Sequence, residues 1–153
     1  MKKYLFILIT LFIAGCIASK VQSSWGKVRV QSIKIPTQNG QWLVADLFKP
    51  VYANASNPSP LVIVVPGFQR SKETLSNISI ELSRRGIVTI AIDPYAQGLS
   101  SSSFSRRAAT KEGYGMFALV NYIYDTSILN YVDKDKIGVT GHSAGGLAAI
   151  RAA

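Results

Sequence analysis

An α/β fold around a largely parallel sheet is the fold class that three features of this 153-residue chain predict. Residues 61–65 (Leu-Val-Ile-Val-Val) and 87–92 (Ile-Val-Thr-Ile-Ala-Ile) are β-branched, apolar runs, as expected of strands covered on both faces. Between them Leu75, Ile78 and Leu82 recur at helical spacing, so strand, helix and strand alternate. A third short apolar strand over 136–140 leads straight into a helix-forming stretch, 144–153. Parallel neighbours of this kind require right-handed crossovers.

The elements follow in order from the N-terminus. Met1-Lys2-Lys3 is basic, and residues 4–18 form an uncharged apolar run closed by Ser19-Lys20. A positive start followed by such a run is the secretory-signal pattern, and the run is short for a membrane span of about 20 residues. Inside it, Ile13-Ala14-Gly15-Cys16 resembles the bacterial lipobox, an aliphatic residue and two small ones before a cysteine that takes a lipid. Residues 1–20 are therefore read as a signal peptide or lipoprotein anchor, with Cys16 the lipidation site. An uncleaved N-terminal anchor is the alternative. Either reading places the remainder outside the cytoplasm, on the extracytoplasmic side of a membrane. Residues 21–27 form a tether, and 28–153 the domain proper.

A half-exposed strand over 28–35, turn residues 36–40 and a second strand over 41–48 predict a leading hairpin, with Asn39-Gly40 tolerating positive φ. Residues 49–60 carry three prolines and two asparagines and read as a loop. Gly86 is placed to cap the helix after strand 61–65. Residues 100–110 are a Ser-rich, Arg-bearing loop, and Met116, Phe117, Leu119, Val120 and Ile123 form a further apolar helical face.

Composition excludes several classes. Cys16 is the only cysteine and His142 the only histidine, so neither an internal disulfide nor a clustered metal site is expected. Only 16% of residues are charged and 48% are apolar, which is not a disordered composition. A formal charge of +9 favours anionic surfaces. Yet Arg70, Lys72, Arg84, Arg85, Arg106, Arg107 and Lys111 lie on a helix and loops without an aromatic strip between them. They read as solvated faces near anionic lipid, and nucleic acid is not an expected partner.

The chemistry-bearing motif is Gly141-His142-Ser143-Ala144-Gly145, a G-x-S-x-G between a predicted strand and a predicted helix. So tight a turn strains the serine backbone and leaves no room for side chains at the flanking glycines. Val65-Pro66-Gly67-Phe68 follows the first buried strand. Acyl transfer needs two donors on the oxyanion, and a first βα loop can supply one beside the N–H after the nucleophile. The alternative is a plain turn with a packing aromatic.

With Asp93-Pro94-Tyr95-Ala96-Gln97-Gly98-Leu99-Ser100 and the segment 133–143, these residues resemble the α/β-hydrolase superfamily, closest to its dienelactone-hydrolase and bacterial cutinase-like serine esterase groups. The resemblance runs from about Ile33 onward and implies the N-terminal half of that fold, the C-terminal strands being absent. It implies Ser143 as nucleophile, Phe68 and Ala144 as backbone oxyanion donors, and hydrolysis of carboxylic esters through an acyl-serine. No cofactor is implied, and the substrate is a small-molecule or polymeric ester. Phe68 and Tyr95 are candidate substrate-binding residues, with surface exposure the alternative for Tyr95. Asp93 is expected to tie down its loop rather than to react.

A serine also needs a base and an orienting acid. His142 adjoins the nucleophile on the wrong side of the turn, which leaves it a packing or turn role. The chain ends ten residues after Ser143, so the triad acid and base are expected outside these residues, in a longer protein. A serine peptidase of the same fold and a non-catalytic surface lipoprotein are the other readings.

Overall fold

The computed structural model describes residues 2–37, 40–102 and 113–152. Arg106, Arg107 and Lys111, most of the Ser-rich loop, and Asn39 of the hairpin turn lie outside them.

Five strands form one mixed sheet in the order β1-β2-β4-β3-β5. Strands β1 (Val28–Pro36) and β2 (Trp42–Pro50) make the expected hairpin, paired antiparallel from Val28↔Pro50 to Pro36↔Trp42. Strand β3 (Ser59–Val65) runs parallel to both β4 (Val88–Ile92) and β5 (Val132–Gly141). β2 joins β4 antiparallel. The sheet is thus half parallel, and its parallel half carries the runs that predicted it. β5 begins earlier than expected, but its register jumps from Ser59↔Val132 to Leu61↔Ile137. Regular pairing covers only Ile137 to Gly141, close to the predicted strand.

Alternation sorts the core onto two faces. Leu43, Leu61, Ile63, Val65, Ile90 and Ile92 pack with Met116, Leu119 and Ile123 of helix α3 (Met116–Asp125) and with Ala148 of helix α4 (Ala144–Ala152). Phe48, Val64 and Ala91 turn to the other face, with Leu75 and Ile80. Those two belong to a single 3₁₀ turn, Lys72–Leu75, and to helix α2 (Ser76–Arg84).

Here one expectation fails. Ile78 is 39% exposed, and the face that α2 buries is Ser79 and Ser83 beside Leu75 and Leu82. Ser79 Oγ donates to the Leu75 carbonyl at 3.2 Å, and Ser83 Oγ donates to the Phe48 carbonyl at 3.1 Å. Small residues let the helix lie close to the sheet, and each hydroxyl finds an acceptor, so burial costs little. The helix ends as predicted. Gly86, at φ +93°, donates to Ser83 O while Ile87 donates to Leu82 O, the paired bonds of a Schellman motif.

The N-terminal segment is helix α1 (Lys2–Gln22), which ends two residues beyond the expected address segment. It buries no residue against the domain, and among the described residues it is the one helix long and apolar enough to cross a membrane. Ser24, Trp25 and Gly26, all at positive φ, turn the chain from α1 into β1.

Candidate active site

From β3 the chain crosses to β4 on one side of the sheet, and later returns as β5 on the other. The carboxyl ends of β3 and β5 therefore flank a topological switch point, the place where open α/β sheets form their crevices. Both motifs singled out in the sequence lie there: Pro66-Gly67-Phe68 after β3, and Gly141 to Gly145 after β5.

The second is a strained elbow. Ser143 has φ +55°, in the left-handed region that non-glycine residues avoid. His142 N–H donates to Val65 O at 3.2 Å, and Gly145 N–H returns to His142 O at 3.0 Å, which closes the turn. A Cβ on Gly141 would come within 2.5 Å of the Gly145 carbonyl carbon, and one on Gly145 would overlap the Val65 carbonyl oxygen. The expected steric reason for both glycines holds. Ser143 is exposed, and α4 starts at the next residue. Ala144 N–H, in the first turn of α4, has no carbonyl four residues back within the helix and forms part of the positive end of its dipole.

Gly67 brings the first loop to this elbow. A Cβ there would stand 3.4 Å from Ser143 Cβ and 3.2 Å from His142 Nδ1. His142 is exposed, with that nitrogen beside Gly67, so it holds the turn through its backbone and does not pack in the core. Phe68 is 53% exposed at the loop tip. Tyr95 is not at the surface: it belongs to the main core, and its hydroxyl is 2.7 Å from Thr37 Oγ1.

Asp93 has the tethering role expected of it, with more partners than the sequence suggested. Its carboxylate is fully buried. Oδ1 accepts Lys72 N–H at 2.7 Å, while Oδ2 accepts Leu99 N–H at 3.0 Å and lies 3.4 Å from Lys72 Nζ. Gly98, at φ +53°, sits against that carboxylate where a side chain would collide. Ser100 Oγ donates to Asp93 O at 2.6 Å and accepts Val44 N–H at 2.8 Å. Ser101 Oγ likewise accepts Trp42 N–H at 2.9 Å. The start of the Ser-rich run thus satisfies the part of β2 that lies beyond its pairing with β4.

Lys72 corrects a second expectation. Instead of a solvated cation it is 5% exposed, with Nζ 2.6 Å from Glu73 Oε1. Burial works against its charge, but the hydrogen bond to Glu73 and the charges of Asp93, Asp46 and Glu73 outweigh it and raise its pKa. Hydrogen bonds from Lys72 and Ser71 hold the Glu73 carboxyl down at about 2. Burial raises the pKa of Asp46, although Lys72 and a hydrogen bond with Ser32 oppose the shift. A lysine directly before an acidic residue gives no sequence sign of burial. Its partner is 21 residues away, and only the fold joins them. Among the described residues no cluster of His, Cys, Asp and Glu is built to hold a metal ion.

A family model described as PET hydrolase-like matches residues 15–153. Among solved structures, the chain is similar to Est1E from Butyrivibrio proteoclasticus, determined with bound ferulic acid. Identity is 27% and the TM-score 0.63, over 76% of this chain and 44% of that one. It is also similar to DcsB, determined with a substrate analogue, at 25% identity and TM-score 0.65 over 79% of this chain and 39% of that one. The Pyrococcus furiosus esterase Pf2001 shares the fold at 23% identity and TM-score 0.67, over 87% of this chain and 46% of that one. The chain spans less than half the length of each. No curated protein matches it.

Proposed function

The chain belongs to the PET hydrolase-like family, and from that membership and the elbow we propose that it is the N-terminal part of an exported, membrane-tethered serine hydrolase of carboxylic esters. The observation that carries the reading is Ser143 at φ +55° between two glycines that admit no side chain, with Gly67 packed against its Cβ. A cap or a plain βα turn needs none of these three together. Membership of the PET hydrolase-like family, and the carboxylic acid that Est1E holds as an ester's hydrolysis product would be held, support a carboxylic ester as the substrate class, small or polymeric.

In the proposed mechanism Ser143 Oγ attacks the ester carbonyl and its proton passes to a general base. The carbonyl oxygen becomes an oxyanion, and the Ala144 and Phe68 N–H groups donate to it at the N-terminus of α4. Collapse expels the alcohol and leaves an acyl-serine, which water then hydrolyses. His142 is given a turn role and not that of base: it adjoins the nucleophile and makes no side-chain bond to it among the described contacts, its Nδ1 lying beside Gly67. The base and its orienting acid belong to chain outside these 153 residues. Phe68, exposed at the loop tip, is placed to touch substrate, whereas Tyr95 is buried and would support the pocket from beneath. Export and tethering rest on α1, with lipidation of Cys16 as the finer proposal.

A fluorophosphonate probe on the full-length protein tests the reading. Labelling of the parent, lost in Ser143→Ala, is expected, together with turnover of p-nitrophenyl acetate. An unlabelled, inactive parent would sink it.

A further inference from the structure

The loop carrying Phe68 is held from both ends, and one of the holds comes from a residue with no assigned role. Upstream, Pro66 and Gly67 are buried and Gly67 stands against Ser143. Beyond Phe68 the chain reverses. Arg70 N–H donates to Gly67 O at 3.2 Å, and Gln69 between them sits at φ +56°. The returning limb is gripped by the loop after β4 at two backbone donors. Gln97 Oε1 accepts Arg70 N–H at 3.1 Å, and Asp93 Oδ1 accepts Lys72 N–H at 2.7 Å. The gripping loop is itself fixed, since Asp93 is buried and holds Leu99 N–H and Gly98 around its carboxylate.

We infer that Gln97, with Asp93 behind it, is a positioning residue that sets the Phe68 backbone N–H relative to Ser143. The inference rests on the acyl-serine reading above. A peptide plane in a four-residue turn tilts when either limb moves, and Gln97 restrains the limb nearest Phe68. An oxyanion donor acts at a separation of about 2.7–3.1 Å from a charge that exists only in the transition state. A loosened loop should therefore lower the rate of the chemical step and leave ground-state binding alone. Asp93 is too deeply buried for a clean test, because its removal leaves the Lys72 and Leu99 N–H groups without their acceptor. Gln97 is half-buried, and its acceptor can be deleted without opening the core.

Gln97→Ala, Gln97→Met and Gln97→Glu are made in the full-length protein. Turnover of p-nitrophenyl acetate, fluorophosphonate labelling rate and thermal midpoint are then measured for each. Ala and Met remove the acceptor, and Met keeps the length, so both should lower kcat and the labelling rate about tenfold, with KM within about twofold and the midpoint unchanged. Glu restores an acceptor oxygen and should recover most of the rate. Unchanged kcat in Gln97→Ala, a change confined to KM, or equal losses in all three variants would each overturn the inference. A parent that neither labels nor turns over overturns the acyl-serine reading as well, so the two failures are distinguishable.

Discussion

A serine held at φ +55° costs the fold free energy that a glycine there would not. Ser143→Gly is therefore expected to raise stability by about 1 kcal/mol while abolishing fluorophosphonate labelling; urea unfolding measures the first effect. A destabilised glycine variant would show instead that Ser143 Oγ supports the turn. Gly145→Ala acts in the opposite direction, because its methyl meets the Val65 carbonyl. It should cost about 1–3 kcal/mol by overpacking and displace the candidate nucleophile, so stability and labelling fall together. The ion pair at Lys72 gives a pH signature with a definite sign. Glu73 titrates at about 2 in the folded chain, below its value of about 4.3 when unfolded. Between those values the unfolded chain binds more protons, so this contribution is complete above about pH 4.5 and disappears as pH falls through 2. Glu73 is 61% exposed, which keeps the effect below about 1 kcal/mol. Comparing Glu73→Gln with the parent from pH 2 to 6 should show a flatter stability profile in the variant. Identical profiles would refute the coupling.

Among the elements, what the sequence reveals depends on whether a residue's partner is near in the chain or only near in space. Strands β3 and β4 were legible because burial on both faces leaves unbroken apolar runs, and Gly86 because its cap involves only Leu82 and Ser83. The inward face of α2 was misread for the same reason turned around. Periodicity favours the apolar Ile78, yet the sheet accepts Ser79 and Ser83, whose hydroxyls bond to Leu75 and Phe48. The Phe48 partner is 35 residues from Ser83, so no local pattern announces it. Ser83→Leu should accordingly cost about 1–3 kcal/mol, since the larger side chain lifts α2 from β2 and β4. Ile78→Ser should cost less than about 1 kcal/mol, as that residue is part-exposed. Urea midpoints in the reverse order would restore the periodic assignment. The run from Ser100 to Ser102 carries a similar lesson: it reads as loop composition, but Ser100 bridges Asp93 O and Val44 N–H. Ser100→Ala leaves both groups without that partner and should cost about 1–2 kcal/mol. The elbow was legible because its motif is contiguous in the chain, even though Val65 on the neighbouring strand is what keeps Gly145 small, whereas the grip of Gln97 on Arg70 spans 27 residues and was not.

At the scale of the whole molecule, the sheet domain and the N-terminal helix are two nearly independent parts. The domain has its own two-faced core, whereas α1 contributes no buried residue to it. The described side-chain bonds from the domain to this region are those from Arg84, to Ser24 Oγ at 2.9 Å and to Val21 O at 3.5 Å. Of these, only the exposed 3.5 Å contact to Val21 O is lost with residues 2–22, while the part-buried bond to Ser24 stays, so their removal should leave the thermal midpoint and the labelling of Ser143 close to those of the parent. Membrane behaviour should change completely. The most apolar 18 residues of α1 have a mean hydropathy of 2.1, and the helix exposes its whole length, which suits lipid and not water. Detergent-phase partitioning of the exported protein is expected for the parent and lost on deletion. Cys16→Ala separates the two proposed modes of attachment. If the lipid is the anchor, the alanine variant leaves the detergent phase or retains its unprocessed length. If α1 itself is the anchor, it partitions and migrates like the parent. An exported parent found only in the aqueous phase would refute both, leaving α1 as a secretory signal removed on export. The basic residues around the domain would then need another explanation than anionic lipid.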